Sequence, residues 1–240
     1  MAPAGRRIGT LNPALAVGLD HVGIVVRDLA RASAAWAALG FAPVGGRIML
    51  GQGYLELLAD DPARPSATLV RFLAQGEGAH VLSLRVPSAE AAAARLARAG
   101  LDAELLAADR AADPDRPDGP RARFLRLPLA DADPRLQLIE QQTPELVWQQ
   151  RFLAHPNGAT ALTGVTLTAA TPAAMAARLS RVAGRPVAPQ ANGYRLALPQ
   201  GRIDILPGDG PPRITRVTLR APTSRTMSLP GLTVALLSEG

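Results

Sequence analysis

The chain has 240 residues, 48% hydrophobic and 19% charged, an ordinary balance for a folded protein that excludes a wholly disordered one. No stretch reaches the roughly 18 apolar residues of a membrane helix, because Arg, Asp or Pro interrupts each candidate. The net charge is +6, but all 26 basic residues are Arg scattered along the chain and aromatics make up only 3%, so neither a nucleic acid nor a membrane is an expected partner.

Residues 1–18 read as an amino-terminal tail. Met1 to Thr10 holds no apolar segment of leader length with a cleavage site, so a cytoplasmic location is expected. The chain has no Cys, which removes disulfides, thiolate metal sites and cysteine nucleophiles. A repeated unit then begins. Leu19 to Val26 is strand-like, Asp28 is a helix cap, 29–39 is an Ala-rich helix and Gly40 ends it. Three short β-candidates follow at Phe41 to Val44, Arg47 to Leu50 and Tyr54 to Ala59.

The second copy runs from the strand His80 to Val86 through the cap Ser88 to Gly100, then Ala103 to Leu106, Arg121 to Leu127 and Leu136 to Gln141. The polar stretch Ala107 to Pro120 reads as a loop. Thr143 to Ala159 is a joint, helical from Pro144 and turn-like at His155-Pro156-Asn157-Gly158. The third copy takes Leu162 to Thr168, the cap Thr171, Pro172 at the first helical position, and Gly184, followed by strands Pro186 to Ala188, Tyr194 to Leu198 and Arg202 to Leu206. A fourth keeps Ile214 to Arg220 and Leu232 to Leu237 without a helix. Cap-to-Gly separations of 12, 12 and 13 residues mark one duplicated unit. The expectation is an α+β chain of β-α-β-β-β modules, with two modules over 19–150 and a degenerate half over 160–240.

Two of the three His residues, His21 and His80, fall in the first strands of successive copies, and the last strands carry Glu56 and Glu140. A carboxylate in an apolar strand is costly unless paired or metal-bound. Two imidazoles and two carboxylates suit a divalent ion, Ni, Zn, Co, Mn or Fe(II). Arg123 and Arg126 lie on opposite faces of one strand, so one of them is a candidate for an anionic substrate; His155 is a further candidate. No Gly-x-Ser-x-Gly elbow supports a hydrolase triad, and no dinucleotide or Lys-containing phosphate loop is present. Trp36 and Trp148 read as packing residues.

Leu19-Asp20-His21-Val22 with Val26-Arg27-Asp28-Leu29, Leu39-Gly40-Phe41 and Tyr54-Leu55-Glu56-Leu57 resembles the opening module of the vicinal oxygen chelate superfamily, and within it the glyoxalase-like domain proteins. Gly78-Ala79-His80 and Leu138-Ile139-Glu140 resemble its second half, so the resemblance covers about 19–142. It implies a curved mixed sheet around one metal held by His21, Glu56, His80 and Glu140, with Glu56 or Glu140 moving a proton as catalytic carboxylate. In the third copy Gly164 and Asp204 stand at the corresponding places, and the fourth has Arg216, so no second such site is expected. The reaction implied is a metal-dependent lyase or isomerase step on a small substrate with vicinal oxygens. The alternatives are an Fe(II) extradiol-type dioxygenase using His21, His80 and Glu140, and a metal-free module that binds a small molecule; a homodimer is compatible with each.

Overall fold

The computed structural model describes residue 12 and residues 14–129 and 133–238. Most of the tail expected over 1–18 therefore lies outside the described residues. The first half comprises β1 (Gly18–Val25), α1 (Leu29–Ala38), β2 (Arg47–Met49), β3 (Tyr54–Leu58), α2 (Ala67–Ala74), β4 (Gly78–Arg85), α3 (Ala89–Arg98), β5 (Leu106–Ala111), β6 (Arg121–Pro128) and β7 (Arg135–Gln141). A short α4 (Pro144–Val147) and a 3-10 turn at Gln150–Phe152 lead to the second half. This holds β8 (Ala161–Ala169), α5 (Pro172–Ala183), β9 (Val187–Gln190), β10 (Gly193–Ala197), β11 (Arg202–Pro207), β12 (Arg213–Arg220), β13 (Arg225–Leu229) and β14 (Leu232–Leu237). None of the described helices is long and apolar enough to cross a membrane.

The repeated helices begin and end where their caps place them. Asp28 accepts from the Arg31 N–H and Ser88 from the Ala91 N–H, while Gly40, Gly100 and Gly184 take positive φ after α1, α3 and α5. Thr171 makes no side-chain cap; Pro172 at the helix start serves α5 instead. Two expectations are corrected. Phe41 to Val44 forms no strand beyond a Val44–Arg47 bridge. Part of the expected loop at 107–120 is strand β5, an edge where alternation turns Asp109 outward to Arg121 and leaves Arg110 facing the other way. The unpredicted α2 is capped by Ser66 and anchored by Leu69, Phe72 and Leu73 against Val25 and Val81.

The 14 strands of the described residues form one curved, unclosed mixed sheet of two half-sheets. The first runs β2-β3-β1-β4-β7-β6-β5 and the second β13-β14-β12-β8-β11-β10-β9, meeting where Ile214 pairs with Ala79. In each half the first strands of two modules lie antiparallel, β1 beside β4 and β8 beside β12. The fourth module replaces its helix with a turn between β12 and β13. One apolar core draws on both halves, with Leu19, Leu82 and Leu138 from the first and Leu162, Leu179 and Ile203 from the second. The opposite face of the first half-sheet forms a cup, closed at one end by α2.

The β1–β4 pair positions everything in that cup, and it contains two irregularities. Leu19 pairs with Leu84 and His21 with Ser83, leaving Asp20 as an extra residue in β1; Gly23 pairs with Val81 and Ile24 with Ala79, leaving His80 as the extra residue in β4. Each bulge puts two consecutive residues on the cup face. Gly23 sits between them, and a Cβ there would stand 2.8 Å from the Val81 Cβ and 2.9 Å from Leu58. Gly23→Ala is expected to lower unfolding stability by about 1–3 kcal/mol through overpacking, measured as a shift of the denaturant midpoint at unchanged slope.

Candidate functional site

His21 lies at the floor of the cup, buried at 4% exposure and stacked on Tyr54 with ring centroids 4.6 Å apart. The bulge at Asp20 turns the carboxylate onto the same face, where its Oδ1 lies 2.8 Å from His21 Nδ1. A carboxylate only accepts, so Nδ1 carries the hydrogen and Nε2 is left to accept from the Ser83 hydroxyl at 2.8 Å. Gln137 donates in turn to Ser83 Oγ at 2.5 Å and stands 3.2 Å from His21 Nε2. Asp20, fully buried, is also held by Gln141 at 3.1 Å and has Arg85 at 3.5 Å, whose guanidinium lies over Trp148. These neighbours compensate the cost of burying the Asp20 carboxylate.

Above this floor is a cavity of about 260 Å³ lined by Tyr54, Glu56, Arg110, Phe124, Arg126 and Gln137 among others. Glu56 Oε2 lies 4.0 Å from His21 Nε2, and Arg47 holds Oε1 at 3.2 Å. Arg110 and Arg126 have no carboxylate partner among the described residues, and the buried Nε of Arg126 has no hydrogen-bond partner. Burial first, and then the nearby Arg47, pushes the Arg110 guanidinium below its ordinary pKa. Tyr54 is pushed well above the ordinary phenol value by burial and by the carboxylates of Glu56 and Asp20, so it stays neutral. Arg47, Arg110 and Arg126 against Glu56 leave three positive charges minus one negative, a formal +2 around the cavity.

The four expected metal ligands do not converge. His21 and Glu56 meet; His80 and Glu140 lie elsewhere. His80 donates from Nε2 to the Gly76 carbonyl at 3.0 Å and stacks on Phe72 of α2. The reason is register. His80 stands eight residues before the cap Ser88 and Asp20 eight before Asp28, whereas His21 and Val81 each stand seven before their caps. His80 is thus the counterpart of Asp20, both being the bulged residue, and Val81 occupies the place of His21. Parallel pairing sets Gly23 beside Glu56 and Ser83 beside Gln137, so the counterpart of Glu56 is Gln137. Glu140 shares its strand face with Leu136 and Leu138, which are core residues, and its Oε2 accepts from the Ala89 N–H at the start of α3.

Arg126 lines the cavity, whereas Arg123 alternates outward and is exposed. His155 does not reach the cavity. Its Nε2 donates to the Met49 carbonyl at 2.7 Å and its Nδ1 accepts from the Ala42 N–H at 3.0 Å, tying the joint to the first module beside Phe41. Sequence reasoning missed Asp20, Ser83, Gln137, Gln141, Arg47 and Arg110. For Asp20 the signal was counting back from the caps, which matches it with His80; for Arg110 it was the alternation of an edge strand; Gln137 follows only from the pairing of β4 with β7.

A divalent metal does not fit this donor set. His21, Glu56, Val81 and Gln137 supply one imidazole, one carboxylate already paired with Arg47, an alkyl group and an amide. Two further guanidiniums beside them oppose a cation, where a divalent site calls for several anionic or imidazole ligands. Among the described residues no group of three or more His, Asp or Glu is placed to hold an ion. The Fe(II) triad of His21, His80 and Glu140 is likewise not assembled.

The profile of the glyoxalase-like domain family matches residues 19–183. Among solved structures, a hypothetical protein from Staphylococcus aureus is similar at 12% identity and a TM-score of 0.73, over 93% of this chain and 100% of its own. A fusion of a xylose isomerase-like TIM barrel with 4-hydroxyphenylpyruvate dioxygenase aligns at 14% identity and a TM-score of 0.61, over 91% of this chain and 39% of its own. The Mn(II)-bound glyoxalase from Novosphingobium aromaticivorans aligns at 18% identity and a TM-score of 0.54, over 86% of this chain and 66% of its own. At these identities the likeness is one of fold. No curated protein matches the chain.

Glu140→Ala is expected to cost about 1 kcal/mol of stability through loss of the α3 cap, with ligand affinity unchanged in the same preparation. The pKa of both His80 and His155 is lowered, chiefly by burial. As pH falls the unfolded chain takes up protons first, from about pH 6.5. Their contribution to stability is therefore complete above that pH and lost on acidification below it. Melting temperatures from pH 8 to 5 are expected to fall on the acid side, less steeply in His155→Gln.

Proposed function

The chain belongs to the glyoxalase-like domain family, and we propose that its cup is a metal-independent site for a small anionic molecule bearing vicinal oxygens, on which Glu56 transfers a proton. The observation that carries this reading is the pairing, around one cavity, of a partly exposed carboxylate with two guanidiniums that lack carboxylate partners, in a set lacking two of the expected metal ligands. The reaction class, a lyase or isomerase step between adjacent carbons, comes from the family resemblance.

Arg126 and Arg110 offer forked donors to a carboxylate or an oxyanion. In a half-buried cavity such donors favour negative charge as it develops on the substrate oxygens, the role a metal has elsewhere in this kind of chemistry. Glu56 accepts the proton from the carbon next to the carbonyl as the electron pair moves onto the carbonyl oxygen, and the protonated Glu56 returns it to that carbon or to the adjacent oxygen-bearing one. Arg47 fixes the orientation of its carboxylate. His21, locked from below by Asp20 and Ser83, forms the floor against which Tyr54 packs.

The test is solvent deuterium exchange at the carbon next to the carbonyl of 2-oxo and 2-hydroxy acids, followed by NMR, with binding measured separately by calorimetry. Glu56→Gln is expected to lower exchange by about 10²–10⁴-fold while leaving affinity intact, and chelation or added Mn²⁺, Ni²⁺ or Zn²⁺ is expected to change neither exchange nor melting temperature. Exchange that is lost on chelation and restored by one of these ions, or that persists in Glu56→Gln, refutes the proposal.

A further inference from the structure

The two guanidiniums of the cavity sit at different points of the same hairpin. In the β5–β6 ladder Arg110 pairs with Ala122 and Leu106 pairs with Arg126, with Ala108 opposite Phe124 between them. From the Arg110–Ala122 pair to Arg126 is four residues along β6, about 13 Å at ~3.3 Å per residue. Both side chains nevertheless line one cavity of about 260 Å³. They therefore approach it from its two ends, and the wall between them is apolar, made of Ala108, Phe124 and Ile139.

Each end has its own electrostatic surroundings. Arg110 shares its end with the Arg47–Glu56 pair and Tyr54, whereas Arg126 stands toward Arg135, whose guanidinium is held below its ordinary pKa first by burial and then by Arg126. Arg135 is itself turned to Thr68 of α2. Glu56 offsets one of the three cations around the cavity, and the remaining +2 is divided between the two ends. A monoanion leaves one half-buried guanidinium without a carboxylate partner, whereas a second anionic group would pair with it. A molecule with an anionic group at each end and a short methylene stretch between satisfies both and lays its apolar part on Phe124.

Resting on the reading of the cup as an anion site, we infer that its ligand is a short-chain organic dianion, a 2-oxo or 2-hydroxy dicarboxylate, clamped by Arg110 at one end and Arg126 at the other. The volume sets an upper bound on length, since drug-sized ligands fill roughly 300–1,000 Å³.

Calorimetry of the intact protein with matched pairs tests this: 2-oxoglutarate against 2-oxovalerate, and malate against 2-hydroxybutyrate. The dicarboxylate of each pair is expected to bind about tenfold tighter or more, the scale of one added charge-assisted contact, and to weaken as ionic strength rises. Arg110→Gln and Arg126→Gln are each expected to remove that advantage and bring the dicarboxylate down to the monocarboxylate's affinity. The Gln variants keep a long polar side chain, and their melting temperatures report whether the fold is intact. Equal binding of both members of a pair to the unmodified protein overturns the dianion inference and leaves the anion site standing. Binding of neither overturns both.

Discussion

The bulged pairing of β1 with β4 is the constraint on which the cup depends. A regular ladder would alternate Asp20 and His21 to opposite faces, sending an ionised carboxylate into the apolar core. The extra residue in β1 turns both onto the cup face while Leu19 and Val22 on either side remain in the core. The extra residue in β4 does the same for His80 and Val81, and α2 covers that pair with Phe72. One backbone irregularity, used twice, thus yields a polar floor in one module and an apolar one in the other. The difference lies only in which residues occupy the bulge and the position after it.

That asymmetry decides the chemistry of the cup. With Val81 and Gln137 in place of a second imidazole and carboxylate, the anionic charge facing the cavity is reduced to Glu56, and Glu56 is tied to Arg47. Arg110 and Arg126 then make the cavity positive. A positive site disfavours a divalent cation and favours an anion, so the side chains that do not suit a metal and the charge that suits the proposed anion act in the same direction. The buried Asp20 does not offset this, because Arg85, Gln141 and His21 already satisfy it from below.

Much of the architecture was legible because caps and chain reversals leave chemical marks. Asp28 and Ser88 with Gly40 and Gly100 located the modules, and the Val- and Leu-rich runs located their strands. His21 and Glu56 could be placed beside one cavity for the same reason. A β-bulge leaves no mark in composition, so the offset between Asp20-His21 and His80-Val81 was hidden by the likeness of their flanking residues. Measuring each histidine from its own cap exposes it. Alternation sets Glu140 on one face with Leu136 and Leu138, and those two fully buried Leu residues identify that face as the core side, where the carboxylate's partner is a helix N-terminus. Arg123 and Arg126 could not be told apart until β5 supplied the neighbour that fixed which face is the cup.

Asp20, His21 and Ser83 have the connectivity of a nucleophile, its base and the base's orienting carboxylate, with both links at 2.8 Å. Burial decides against that role. Ser83 is fully buried, its Oγ lies under the Gln137 amide, and it does not line the cavity, so no substrate carbon has an approach to it. Both ring nitrogens of His21 are also engaged, which leaves the imidazole no lone pair to offer upward. The chain Gln137–Ser83–His21–Asp20 is a closed run of hydrogen bonds that spans the floor between the two modules, linking β7, β4 and β1. It holds by hydrogen bonding what a shared ion would otherwise hold by coordination. Among the described residues Glu56 is the carboxylate that lines the cavity, which is why the proposed proton transfer is assigned to it.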